Sequence, residues 1–168
     1  MDYKEQVERT HRWLNRLQNA ASHENEINEP LPSGKHEEYE DYLYAFFQNC
    51  WHIKDWIMGD TSAPYTLREA AKRVEKQTPH ALRLCAGVAN GSKHLGESRD
   101  KSRRAQTVGE ITVEIDPEGN SKTSYEYKVV DEGTQRDALE LAREALQTWD
   151  DLIAANSSMP TDSTANES

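Results

Sequence analysis

The chain has 168 residues, 35% hydrophobic and 30% charged, enough for about one domain with its own core. Its 20 Lys and Arg against 30 Asp and Glu give a formal charge of −10, which excludes a general affinity for nucleic acid, since phosphate contacts need clustered cations. No apolar run reaches membrane-spanning length and "MDYKEQVERTHRW" has no apolar signal region, so no membrane association and a cytoplasmic location are expected.

In chain order, Asp2 to about Ala21 reads as a helix with Val7, Leu14 and Leu17 at helical spacing. "SHENEINEPLPSGK" is a loop. Glu37 to Met58 reads as a longer helix with Leu43, Phe46, Phe47, Cys50, Ile53 and Ile57 on one broad face and Gly59 as the residue just past its end. "APYTLREAAKRVEK" starts a third helix, with Thr66 and Glu69 at capping-box spacing. Thr78-Pro79 interrupts it, and Thr78 as N-cap with Pro79 at the first helical position predicts a fourth helix to about Leu95. The periodicity then changes to two. "EITVEID", the turn "PEGN" and "SYEYKVV" predict a β-hairpin at about 108–130, which must lie on the helices or pair with another chain. "EGTQRDALELAREALQTWDDLIAAN" reads as a last helix capped by Thr134 with Asp137 three residues on, and 156–168 as a disordered tail. The expected fold is mainly α: residues 1–155 as one domain, a bundle of four to five helices with one β-hairpin insertion.

Two stretches carry candidate chemistry. On the long helix, Tyr44, Gln48, Trp51 and Asp55 form a second stripe opposite the core face, with His52 at its border. A solvated face would carry Lys and Glu instead, so this helix is expected to be covered on both sides. One reading has the polar groups of a central bundle helix satisfying each other; the other has His52 and Asp55 lining a site or an interface. They are too few for a metal site, and neither HExxH nor paired CxxC occurs, so no metal and no cofactor are expected. On the fourth helix Arg83, Gly87, Asn90 and His94 share a stripe beside apolar Leu82, Cys85, Ala86 and Ala89. Lys93 and His94 either favour a helix C-terminus through its dipole or, with Asn90, present a cation, an imidazole and an amide to a phosphate-bearing ligand. "RDKSRRAQ" adds Arg103 and Arg104 to the one dense basic run, a solvated loop or a local RNA or nucleotide contact. Cys50 and Cys85 sit in apolar helical contexts, as free thiols in a reducing compartment rather than a disulfide framework.

The helical layout, the aromatic-rich "YAFFQNCWHIKDWI" and "ANGSKHL" on a later helix resemble the HEPN superfamily, small helical domains of bacterial toxin–antitoxin and phage-defence systems. The resemblance spans roughly Glu37 to Leu95. It implies a homodimer and, where active, metal-independent RNA cleavage by an Arg, four to six residues, then a His. By that resemblance His94 takes the histidine place and Asn90 the polar place, while the arginine place falls on Ala89. The site is therefore expected to be degenerate, with His94 for proton transfer, Lys93 for phosphate, and Asn90 and His52 for positioning. Arg73-VEKQTP-His80 fits the spacing, but Thr78-Pro79 breaks the helix inside it. The alternative is a non-catalytic interaction module in which Trp51, Asp55 and the hairpin bind a protein partner, such as an antitoxin or a defence component.

Overall fold

The computed structural model of the chain describes residues 2–21, 35–91, 106–115, 117–118, 121–131 and 133–157. Among them are five helices and three strands: α1 (Tyr3–Ala21), α2 (Lys35–Gly59), α3 (Tyr65–Lys76), α4 (His80–Gly91), β1 (Gln106–Ile115), β2 (Ser121–Asp131), β3 (Thr134–Asp137) and α5 (Ala138–Ser157). The fold is the expected helical bundle with a β-hairpin inserted between its fourth and fifth helices.

α2 is the central element, and its sequence explains why. Leu43, Phe46, Phe47, Cys50, Ile53 and Ile57 are all fully buried, so one broad apolar face meets neighbours on several sides. Gly59 is the last helical residue rather than the one beyond it, and the Asp60 N–H bonds the Trp56 carbonyl at 3.0 Å. α1 lies along one edge of α2 through a polar seam. The Gln6 amide, 1% exposed, donates to the Asn49 backbone oxygen at 2.9 Å and to Asn49 Oδ1 at 3.1 Å. Arg9 Nη1 donates to Gln6 Oε1 at 3.2 Å, so this buried amide is used at both ends. α4 lies along the opposite edge, where the Cys85 thiol donates to the Phe47 carbonyl at 3.3 Å. α5 closes the bundle with Leu141, Ala142, Ala145, Leu146 and Trp149 buried.

The helix ends depart from expectation in several further places. α3 starts at Tyr65 with Pro64 in the capping position and no side-chain cap; Thr66 instead donates its hydroxyl to the Asn156 carbonyl of α5 at 3.1 Å. Thr78 turns its hydroxyl back to the Val74 carbonyl at 2.7 Å, closing α3 rather than opening α4, and the Pro79 carbonyl takes the first bond of α4 from Arg83 N–H at 2.9 Å. The segment assigned to the start of the last helix is a strand. Thr134–Asp137 pairs antiparallel with β2, and Asp137 is the true cap of α5, its Oδ1 accepting the Glu140 N–H at 2.7 Å. A four-residue hydrogen-bonding partner along β2 outweighs one more helical turn of Thr, Gln, Arg and Asp. α5 also runs past 155 to Ser157; the rest of the expected tail lies outside the described residues.

β1 and β2 form a long antiparallel hairpin from the pair Gln106/Val130 to the pair Ile115/Ser121, and the sheet order is β1-β2-β3. Gly133, at φ +82°, sits in the turn joining β2 to β3, a backbone conformation that suits glycine. The hairpin lies on the helices. Tyr127 and Val129, 3% and 0% exposed, turn inward, and the Tyr127 ring stacks on Tyr39 of α2 with centroids 4.8 Å apart. This burial pushes the Tyr39 hydroxyl up to about 12, with Asp137 adding to the effect. Among the described residues no helix is long and apolar enough to cross a membrane.

Candidate functional site

The outer face of α2 holds the first candidate group. Tyr44, Gln48 and Trp51 are half-buried and Asp55 is exposed, so the second stripe is only partly covered by this chain. His52 Nδ1 lies 2.9 Å from Asp55 Oδ2, and Lys54 Nζ donates to Asp55 Oδ1 at 2.6 Å. Lys54 runs its stem along buried surface, its nitrogen 5.0 Å from the centre of the Trp51 ring and 3.9 Å from Glu75 of α3. Burial raises the Asp55 carboxyl, but the hydrogen bonds from Lys54 and His52 outweigh it and leave the group below its ordinary value. The reading in which these polar groups satisfy one another describes the geometry well. His52 shares a helical row with Asn49 and Trp56, at i, i+3 and i+7, and two members of that row meet α1: Asn49 through Gln6, Trp56 through the Arg9 guanidinium 5.4 Å from its ring centre.

The second group lies on α4. Leu82, Cys85 and Ala89 are buried against the bundle, whereas His80, Arg83 and Asn90 are exposed and Gly87 is half-buried. The predicted stripe is therefore the outer face of the helix. α3 ends at Lys76 and α4 begins at His80, so Arg73 and His80 belong to different helices and the formal Arg–His spacing between them is not one helical motif. At the start of α4, Arg83 Nη2 lies 3.3 Å from Asp131 Oδ2 at the end of β2 and 3.1 Å from His80 Nδ1. A guanidinium cannot accept, so His80 Nδ1 is the acceptor and the ring proton sits on Nε2. These residues, with Leu84, Thr134 and Arg136, line a pocket of about 170 Å³. Arg136 is fixed by Glu144 of α5 at 2.6 Å.

Trp51, His52 and Asp55 are thus placed on the outer face of α2, and Arg83 and Asn90 on the outer face of α4. Lys93, His94, Arg103 and Arg104 lie outside the described residues. Of the residues around the α4 pocket, sequence reading put only Arg83 among the candidate site residues; His80 entered only through a discounted Arg–His spacing and Thr134 as a helix cap. Asp131 and Arg136 join it through tertiary pairing and His80 through its i, i+3 position on α4; the sequence signal that could have pointed there was Gly133, in the turn before β3. A larger cleft of about 780 Å³ opens between the start of α1, Pro64 and the end of α5, with Val7, Ile153 and Ala154 in its wall and Asp2, Lys4, Glu8 and Asp150 among its charged residues.

Cys50 and Cys85 are free and fully buried, and burial together with the neighbouring Cys85 pushes the Cys50 thiol well up, away from thiolate formation. Among the described residues no group of three or more His, Cys, Asp or Glu is placed to hold a metal ion. No family model, curated protein or solved structure matches the chain.

Proposed function

We propose that this protein is a HEPN-like domain of a bacterial defence or toxin–antitoxin system, and that it binds RNA or a nucleotide along the outer face of α4 as a homodimer. The observation that carries the reading is the division of α4: its apolar stripe is buried in the bundle, while Arg83 and Asn90 stand exposed on its outer face. Arg83 supplies cationic contact with phosphate, and Asn90 an amide that can donate and accept. In the ribonuclease form of this reading His94 moves the proton and Lys93 neutralises the phosphate, without metal. The test is incubation of the purified chain with RNA pools in EDTA. Cleavage that His94→Ala abolishes supports a ribonuclease; binding without cleavage supports a degenerate site; the absence of both binding and cleavage overturns the proposal.

A second reading has support from the half-exposed Tyr44, Gln48 and Trp51 stripe on α2. In it the stripe is the contact surface for a protein partner and no chemistry occurs. Trp51→Ala or Asp55→Ala then changes oligomeric mass or partner capture, with the helical circular dichroism spectrum retained.

A further inference from the structure

The pocket where α4, β2 and β3 meet gathers anion-binding groups from two segments of the chain. Arg83 comes from the first turn of α4, Thr134 and Arg136 come from β3, and His80 stands at the helix start. Each guanidinium is held from behind. Asp131 and the His80 Nδ1 lone pair fix Arg83, and Glu144 fixes Arg136, so both side chains have lost much of the rotamer freedom that anion binding would otherwise cost. The Arg83 side chain remains 54% exposed and that of Arg136 29% exposed, so each keeps donor positions toward solvent. The pairing at Nδ1 leaves the His80 Nε2–H as a further donor, and the Thr134 side chain adds a hydroxyl. The start of α4 contributes the positive end of its dipole at the same place. Among the described lining residues the opposing carboxylate is Asp131, already committed to Arg83, while Glu144 is committed to Arg136 from α5.

We infer that this pocket is a phosphoryl-binding subsite, which takes one phosphate group of a nucleotide or of an RNA strand lying on the outer face of α4. The inference rests on the RNA- or nucleotide-binding reading for the identity of the ligand, and on the pocket itself for the site. A volume of about 170 Å³ suits a phosphoryl group with part of its hydration shell. The arginines act as charge-assisted donors to the phosphate oxygens, and no bond is made or broken.

The experiment is an NMR titration of the full chain with inorganic phosphate at constant ionic strength, following the amides of Ala81, Leu82 and Thr134. A parallel arm measures fluorescence anisotropy of a labelled single-stranded RNA. Saturable shifts confined to the pocket are expected. Arg83→Ala and Arg136→Ala should each weaken phosphate binding about tenfold or more, and Asp131→Asn should tighten it by removing the competing acceptor. Arg83→Lys keeps the charge but not the fork, and should fall between wild type and Arg83→Ala. Absent saturation, or shifts unchanged in the Arg83→Ala/Arg136→Ala double variant with its folded spectrum intact, would overturn the subsite. If phosphate saturates the pocket while neither the RNA nor a mononucleotide such as AMP binds, the subsite stands and the functional reading falls. If RNA binds equally well to wild type and the double variant while phosphate gives no saturation, the reading stands and the subsite falls.

Discussion

Two surface groups in this molecule are built from the same chemical parts and behave differently. Each brings together a histidine, a cation and an aspartate: His52, Lys54 and Asp55 on α2, and His80, Arg83 and Asp131 where α4 meets β2. The first group is assembled within four consecutive residues of one helix and closes on itself. Its aspartate takes both donors, and its lysine lies against Trp51. The second is spread over two elements, with Arg83 and Asp131 48 positions apart in the chain, and it frames a concavity. Helical spacing alone brings side chains together but leaves them on a convex surface. Tertiary pairing makes the hollow.

If that distinction is right, damage to chain-spanning ties should cost more than damage to the group within α2. The largest effect is expected from Tyr127→Ala, which removes the buried ring stacked on Tyr39 and loosens the hairpin that carries Asp131. A loss of about 3 kcal/mol or more is expected, from the cost of emptying an aromatic site. Chemical denaturation measures it, and the phosphate response should fall with it. Gln6→Ala should come next. It strands the Asn49 acceptors and the Arg9 donor in the seam between α1 and α2, at about 1–3 kcal/mol by the same measurement.

Asp60 tests the same idea through pH. Its carboxylate accepts the Ser62 hydroxyl at 2.6 Å and the Tyr3 N–H at 3.1 Å across 57 residues, which holds it down at about 2 from an ordinary 3.8. A depressed carboxyl stabilises the fold fully above its unfolded value, and that contribution is lost as pH falls through the window from about 3.8 to about 2. Asp60→Asn should flatten the acid limb of the stability profile in that window. Arg83→Ala should cost little stability, about 0.5 kcal/mol, because the pair it breaks is largely exposed, while changing phosphate binding strongly. His52→Ala is expected to have the smallest effect, within about 0.5 kcal/mol in thermal unfolding, since Lys54 still serves Asp55. A destabilisation by His52→Ala as large as that by Gln6→Ala would break the comparison.

The same contrast decides what could be read before the fold was known. The α2 core face and its outer stripe follow from a period of 3.6, and the hairpin from a period of two; both are properties of neighbouring residues. The β3 strand was not legible, because Thr134–Asp137 owes its conformation to pairing with β2 rather than to its own pattern. The capping roles of Thr66 and Thr78 were misread for a related reason. Each hydroxyl found a better acceptor: the Asn156 carbonyl across the bundle for Thr66, the Val74 carbonyl one turn back for Thr78. Arg83 was legible as an exposed cation on α4, but its companions Asp131 and Arg136 were not, for they arrive only when the sheet folds back.

The four tryptophans divide along a different line. Trp13, Trp51 and Trp56 are half-buried, and each has a cation over its ring, from Arg16 at 4.6 Å, Lys54 at 5.0 Å and Arg9 at 5.4 Å. Trp149 is fully buried on α5, and its indole N–H has no hydrogen-bond partner among the described residues. A dry, apolar setting of this kind shifts indole emission toward the blue. With Trp13, Trp51 and Trp56 each replaced by phenylalanine, Trp149 would therefore serve as a built-in gauge of whether the last helix is seated, readable without any label.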